Sequence, residues 1–187
     1  MPEQLHTINL YLRAHTAQLV RAWSGTDEHG RSTISRSKQL GAVIYANIIQ
    51  VDAPVDEDYE YSHEVPVLLK VRQEPGSHDW RKNLSHITRA NMGRIDGWIH
   101  SVFVTAIFYH WDGGGRQNKN ASIRTLMERY GLTEEHVEID SLRMAVRRMV
   151  WDEQNTGITR PPGLGLKKKK HYKKPRFCSK VDKEADN

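Results

Sequence analysis

Fourteen consecutive residues, 98–111, read Trp-Ile-His-Ser-Val-Phe-Val-Thr-Ala-Ile-Phe-Tyr-His-Trp and contain no Asp, Glu, Lys or Arg. A segment that is apolar almost all round has no face to offer water, so the remainder of the chain must cover it. It is too short to cross a bilayer, which takes about 20 apolar residues. Ile95, Trp98, Ile99, Val102, Phe103, Ala106, Ile107 and His110 recur at helical spacing, which predicts a core helix over 94–109, with Gly93 permitting a break before it. The rival is a strand over 101–109, because Val, Phe, Thr, Ile and Tyr all favour sheets.

The sequence before this segment supplies the cover. Ile8, Leu10 and Leu12 alternate with Asn9, Tyr11 and Arg13, the period of a half-buried strand over 7–14. Leu19, Val20 and Trp23 suggest a short helical turn, and the polar run 24–37 a surface loop. Residues 40–51, rich in Val, Ile and Tyr, predict a central strand. Val65, Val67, Leu69 and Val71 then alternate through a third strand; Pro66 has no N–H to give a ladder, so that strand starts at an edge or pairs on one side only. A turn at 74–77 follows, with Ser77 placed to cap a helical turn that includes Trp80, Leu84 and Ile87.

After the core segment, the three glycines of 112–120 dictate a loop. Helices are expected to resume at 122–130, to stop at Gly131 in the left-handed conformation, and to restart after Thr133 or Asp140 and run to about Asp152. Leu142, Val146, Met149 and Val150 should face inward. These elements define an α+β fold: a small early antiparallel sheet of about three strands, then three or four helices. Residues 1–158 form the globular domain and 159–187 a Pro/Gly linker with a flexible polybasic tail.

That tail holds the net charge. Residues 160–187 contain 10 basic and 3 acidic residues, a net of +7, while the other 159 residues carry 18 basic and 20 acidic, a net of −2. Lys167, Lys168, Lys169, Lys170, Lys173, Lys174 and Arg176 are so dense that mutual repulsion keeps the segment extended until a polyanion neutralises it. Lysines on flexible stems give salt-sensitive affinity for phosphates with little sequence choice. Tyr172 among them is suited to stacking on an exposed base. The same run fits a nuclear localisation signal read by an import receptor, or attraction to an anionic membrane surface. Six acidic residues within 52–64 are candidates to hold the tail until a stronger polyanion competes.

A second candidate is the helical pair 122–150. Its first helix, with Gly131 at the turn, has the rhythm of a helix-turn-helix, and Arg143, Arg147 and Arg148 follow on the second helix, within reach of phosphates. Glu134, Glu135, Glu138 and Asp140 in front of it would repel DNA. The run 31–38, Arg-Ser-Thr-Ile-Ser-Arg-Ser-Lys, has the make-up of an anion-contacting or phosphorylatable loop.

Catalytic and metal signatures are weak. Arg116 and Lys119 flank a glycine run without the Gly-Lys-Ser/Thr of a nucleotide-binding P-loop. His100 and His110 lie on the core segment, where a histidine is more often packed and hydrogen-bonded than ligating. The one cysteine, Cys178, can form neither an intramolecular disulfide nor a thiolate zinc site. No cofactor, metal or enzymatic activity is expected. With no signal-like start and no transmembrane run, the expected location is cytoplasmic or nuclear.

The expectation is therefore a non-catalytic binding or structural protein that engages nucleic acid or a nucleoprotein through its tail. Two alternatives stand beside it. In plan, an α+β body with a lysine-rich extension is similar to the matrix proteins of some enveloped RNA viruses; that resemblance implies a homo-oligomeric scaffold bridging nucleoprotein to anionic membrane. The other is a helix-turn-helix DNA-binding regulator.

Overall fold

A computed structural model describes residues 5–51, 64–72, 84–116 and 118–156. Strand β1 (Leu5–Arg13) runs antiparallel to β4 (Glu64–Arg72), in register from Leu5 opposite Arg72 to Arg13 opposite Glu64. The alternation expected of β1 holds, with Ile8, Leu10 and Leu12 buried. On the other edge of β4 lies β2 (Ser32–Ile34), and it is parallel. The sheet is thus mixed, not antiparallel throughout. Because β2 reaches only Leu69–Val71, Pro66 is paired on the β1 side alone, as its missing N–H requires.

Three local expectations give way. β2 sits inside the run expected to be a loop: three residues are too few to show alternation, yet Ser32 and Ile34 are fully or almost fully buried. Residues 40–51 are not a central strand but helix α2 (Gln39–Tyr45) followed by the short strand β3 (Ile49–Val51). Leu40, Val43 and Ile44 fall at helical i, i+3, i+4 spacing, which a short apolar run shares with a buried strand. Likewise Leu84–His86, expected in a helical turn, forms β5, which pairs antiparallel with β3. The turn with Ser77 and Trp80 and the acidic residues from Asp52 to Glu60 lie outside the described residues.

The remaining helices are α1 (Ala14–Ser24), α3 (Arg89–Gly113), α4 (Lys119–Arg129) and α5 (Ile139–Thr156). The fold is α+β, with five helices among the described residues: α1 and α2 lie among the strands, and α3, α4 and α5 follow them, within the expected three or four. Helix α3 is longer than expected and unbroken at Gly93. Thr88 caps its start by accepting the Asn91 N–H at 3.3 Å, a contact that stabilises a helix by about 1 kcal/mol. Ile95, Ile99, Phe103 and Ile107 are wholly buried, and α3 packs against β1, α1, α2, α4 and α5. Each such side chain contributes about 1.5–3 kcal/mol by leaving water. The apolar segment is therefore the helix around which the domain is assembled.

Past α3, Gly115 (φ 72°) and Arg116 (φ 58°) turn the chain left-handed, and Asn118 caps α4 by accepting the Ala121 N–H at 3.0 Å. Gly131 (φ 65°) ends α4 as expected. Leu132 N–H donates to Met127 C=O at 2.8 Å and Gly131 N–H to Glu128 C=O at 3.1 Å, the paired bonds of a Schellman cap. Leu142, Val146 and Met149 then face inward from α5. Among the described residues no helix is long and apolar enough to cross a membrane.

Candidate anion-binding surface

Where α3 ends and α4 begins, the chain gathers positive charge. Trp111, in the last turn of α3, is the platform: Lys119 Nζ lies 4.3 Å and the Arg116 guanidinium 5.6 Å from ring centroids of its indole. Both cations are within cation–π range. Arg143 and Arg147, one turn apart on α5, approach the same lysine. Partial burial pushes the Lys119 ammonium below its usual range, and the neighbouring Arg147 and then Arg143 push it further the same way. The two arginines thus act on Lys119 as nearby like charges.

Two carboxylates do touch the margin. Arg116 Nε donates to Asp112 at 2.6 Å, and Arg143 meets Asp140 at 3.0 Å across an exposed pair. Pairs so open to solvent contribute at most about 1 kcal/mol. Arg147 and Lys119 have no ion-pair partner among the described residues.

Of the residues singled out from sequence, Arg143 and Arg147 are thus brought together with Lys119 and Arg116 of the glycine loop. Arg148 is exposed on α5 but is not among the groups acting on Lys119. Lys167, Lys168, Lys169, Lys170, Tyr172, Lys173, Lys174 and Arg176 lie outside the described residues. Trp111 as the platform was missed; an aromatic next to a glycine loop with cations at i+5 and i+8 was the available signal.

A second polar cluster, between β1–α1 and α3, has the opposite character. Arg13 cannot cap α1 with its own side chain, and Asp96 of α3 takes over. Its carboxylate accepts the Arg13 backbone N–H at 3.1 Å, the Arg13 Nε–H at 2.6 Å, and the Thr16 hydroxyl. Negative charge thereby sits at the positive end of α1. Beside it, His15 Nε2 and His100 Nδ1 share a hydrogen bond of 3.0 Å. Burial pushes His15 down to about 4, with Arg13 and His100 pushing the same way and Asp96 opposing. His100 is lowered too, by burial first and Arg13 second. Both rings are neutral at pH 7. His110, in contrast, is exposed.

A catalytic histidine should be both shifted and set in a pocket. His15 is shifted, but neither it nor His100 lines the 300 Å³ cavity formed by α1, α3 and the β2–α2 segment. No group of three or more His, Cys, Asp or Glu placed to hold a metal occurs among the described residues. Comparison with family models, with curated proteins and with solved structures found no match.

Proposed function

We propose that this chain is a non-catalytic binding protein that engages nucleic acid or a nucleoprotein through its polybasic C-terminal segment, with Lys119, Arg143 and Arg147 as the folded domain's share of the contact. The observation that carries this reading is the approach of Arg143 and Arg147 on α5 to Lys119 on α4, where Arg143 alone of the three has a carboxylate partner among the described residues, the exposed Asp140. Assembling like charges costs stability, and an external polyanion recovers that cost. The helix-turn-helix alternative fits less well. Nine residues, 130–138, join α4 to α5, where that motif uses a turn of three or four.

The matrix-type alternative draws on a different face. Met144 and Trp151, two turns apart on α5, are 44% and 62% exposed, and Arg148 lies between them. An exposed apolar stripe interrupted by a cation suits self-association or an anionic lipid surface. Sedimentation with anionic vesicles tests it; vesicles that leave the protein in the supernatant count against it.

For the leading reading, affinity for single-stranded RNA and DNA is measured against salt. The expected result is a linear fall of log affinity with log salt, most of whose slope disappears on deletion of residues 167–176. Affinity indifferent to salt would refute it.

A further inference from the structure

The cavity of about 300 Å³ has a composition that the cationic surface does not explain. Trp23 from α1, Trp98 from α3 and Tyr130 from the end of α4 meet there, with Trp23 and Tyr130 edge to face at 6.2 Å between centroids. None of the three rings is fully buried. The opposite wall is the segment singled out as an anion-contacting loop, contributing Thr33, Ser35 and Lys38. The two arginines of that segment are engaged elsewhere: Arg31 pairs with Asp27 at 3.1 Å, and Arg36 stacks over Tyr45 at 4.7 Å. Among the described residues Lys38 is the only charged one in the lining, and none is a carboxylate.

This wall is held close by a glycine. A Cβ on Gly41 would stand 1.8 Å from the Ser35 carbonyl oxygen, so only glycine lets α2 approach the end of β2 and bring Lys38 to the mouth.

The lining specifies a ligand by exclusion. The Lys38 ammonium in the lining repels a cationic ligand, which argues against an aromatic cage for a cation. A purely aliphatic ligand would leave the hydroxyls and the ammonium unpaired, and an acidic peptide has no planar group for three rings. A planar ring joined to an anion uses every component. The volume is at the lower end for ligand pockets, about 300–1,000 Å³, which suits one base-sized group.

We infer that the cavity receives the base of a nucleotide between Trp23, Trp98 and Tyr130, with its phosphate on Lys38. The inference rests on the nucleic-acid reading above and adds to it a base-dependent contact. Lys119 and Tyr130 stand at opposite ends of α4, about 16 Å apart at 1.5 Å per residue. A strand of a few nucleotides can therefore reach both the cavity and the cationic surface.

The test uses the full chain and four probes: a short thymidine homopolymer, an abasic strand with the same number of phosphates, uridine monophosphate and inorganic phosphate. The homopolymer should bind about tenfold tighter than the abasic strand, as stacking of one base allows. It should also quench tryptophan fluorescence, and Lys38→Glu should remove the preference. Lys38 is exposed, so this variant keeps the fold even where Trp98→Leu does not. Quenching by the mononucleotide alone supports the same chemistry with a free nucleotide as its source.

Equal, salt-steep binding of both strands with no quenching by any probe overturns this inference and leaves the cationic surface standing. Failure of both strands to bind overturns both. Self-association that Trp98→Leu abolishes, with no response to any probe, assigns the cavity to a second copy instead.

Discussion

The two polar clusters of this domain are balanced in opposite ways. At the start of α1, one arginine, one carboxylate, a hydroxyl and two imidazoles close on one another, and Asp96 alone accepts three hydrogen bonds. At the junction of α3, α4 and α5, partial burial first, then the neighbouring Arg147 and Arg143, hold the Lys119 ammonium below its usual range. The first arrangement is balanced within the chain; the second, on the reading proposed above, is balanced by an anion from outside. Internal balance suits a structural tie, and an excess of one charge suits a surface that takes a partner.

The largest expected effect is on acid stability through the balanced cluster. His15 has a folded pKa of about 4 against the ordinary histidine value of 6.5. Between those values the unfolded chain takes a proton that the folded chain refuses. The stability conferred by the neutral ring is fully present above pH 6.5 and is lost as pH falls toward 4, by up to about 3 kcal/mol. His100, shifted the same way, adds to the loss. Urea unfolding at pH 7, 5.5 and 4.5 reads this directly, and His15→Gln should flatten the profile. A wild-type stability independent of pH over that window would break the comparison on its balanced side.

Next in size is Asp96→Asn. It removes the charge that ties Arg13 and Thr16 to α3, and the expected loss is about 2 kcal/mol, the range for hydrogen bonds to charged groups. A change within a few tenths would mean that the cluster is incidental. Smallest is Lys119→Met. A depressed lysine destabilises the fold wherever it is charged, and this penalty fades as pH rises through its folded pKa. The substitution should therefore raise stability at pH 7 by ~0.5 kcal/mol, a value kept small because the site is partly open to solvent. The two substitutions together sharpen the contrast: deletion of a charge weakens one cluster and relieves the other.

Much of this architecture is legible in the sequence, for identifiable reasons. The 98–111 segment announces its burial through the lack of any charged residue, and Gly131 its role through position after a helical run. Residues 40–51 mislead because Leu40, Val43 and Ile44 satisfy helix and strand alike over so short a span. β2 is invisible because three residues gain their stability from Leu69–Val71 across the ladder, not from their own pattern. Of the cationic surface, Arg143 and Arg147 can be read locally, since they sit one turn apart. Their meeting with Lys119, and that of His15 with His100, cannot. The first depends on how α4 packs against α5, and the second on how α3 packs against β1 and α1, distant in the chain.

The central claim is that cations at the α4–α5 end serve a polyanion while the cation at the start of α1 does not. Its most direct measurement is the salt dependence of single-strand binding by the full chain, compared between Arg143→Glu/Arg147→Glu and Arg13→Gln. The account predicts that the double reversal lowers the slope of log affinity against log salt by about 2, and that Arg13→Gln leaves it unchanged. Equal slopes in the two variants would contradict it.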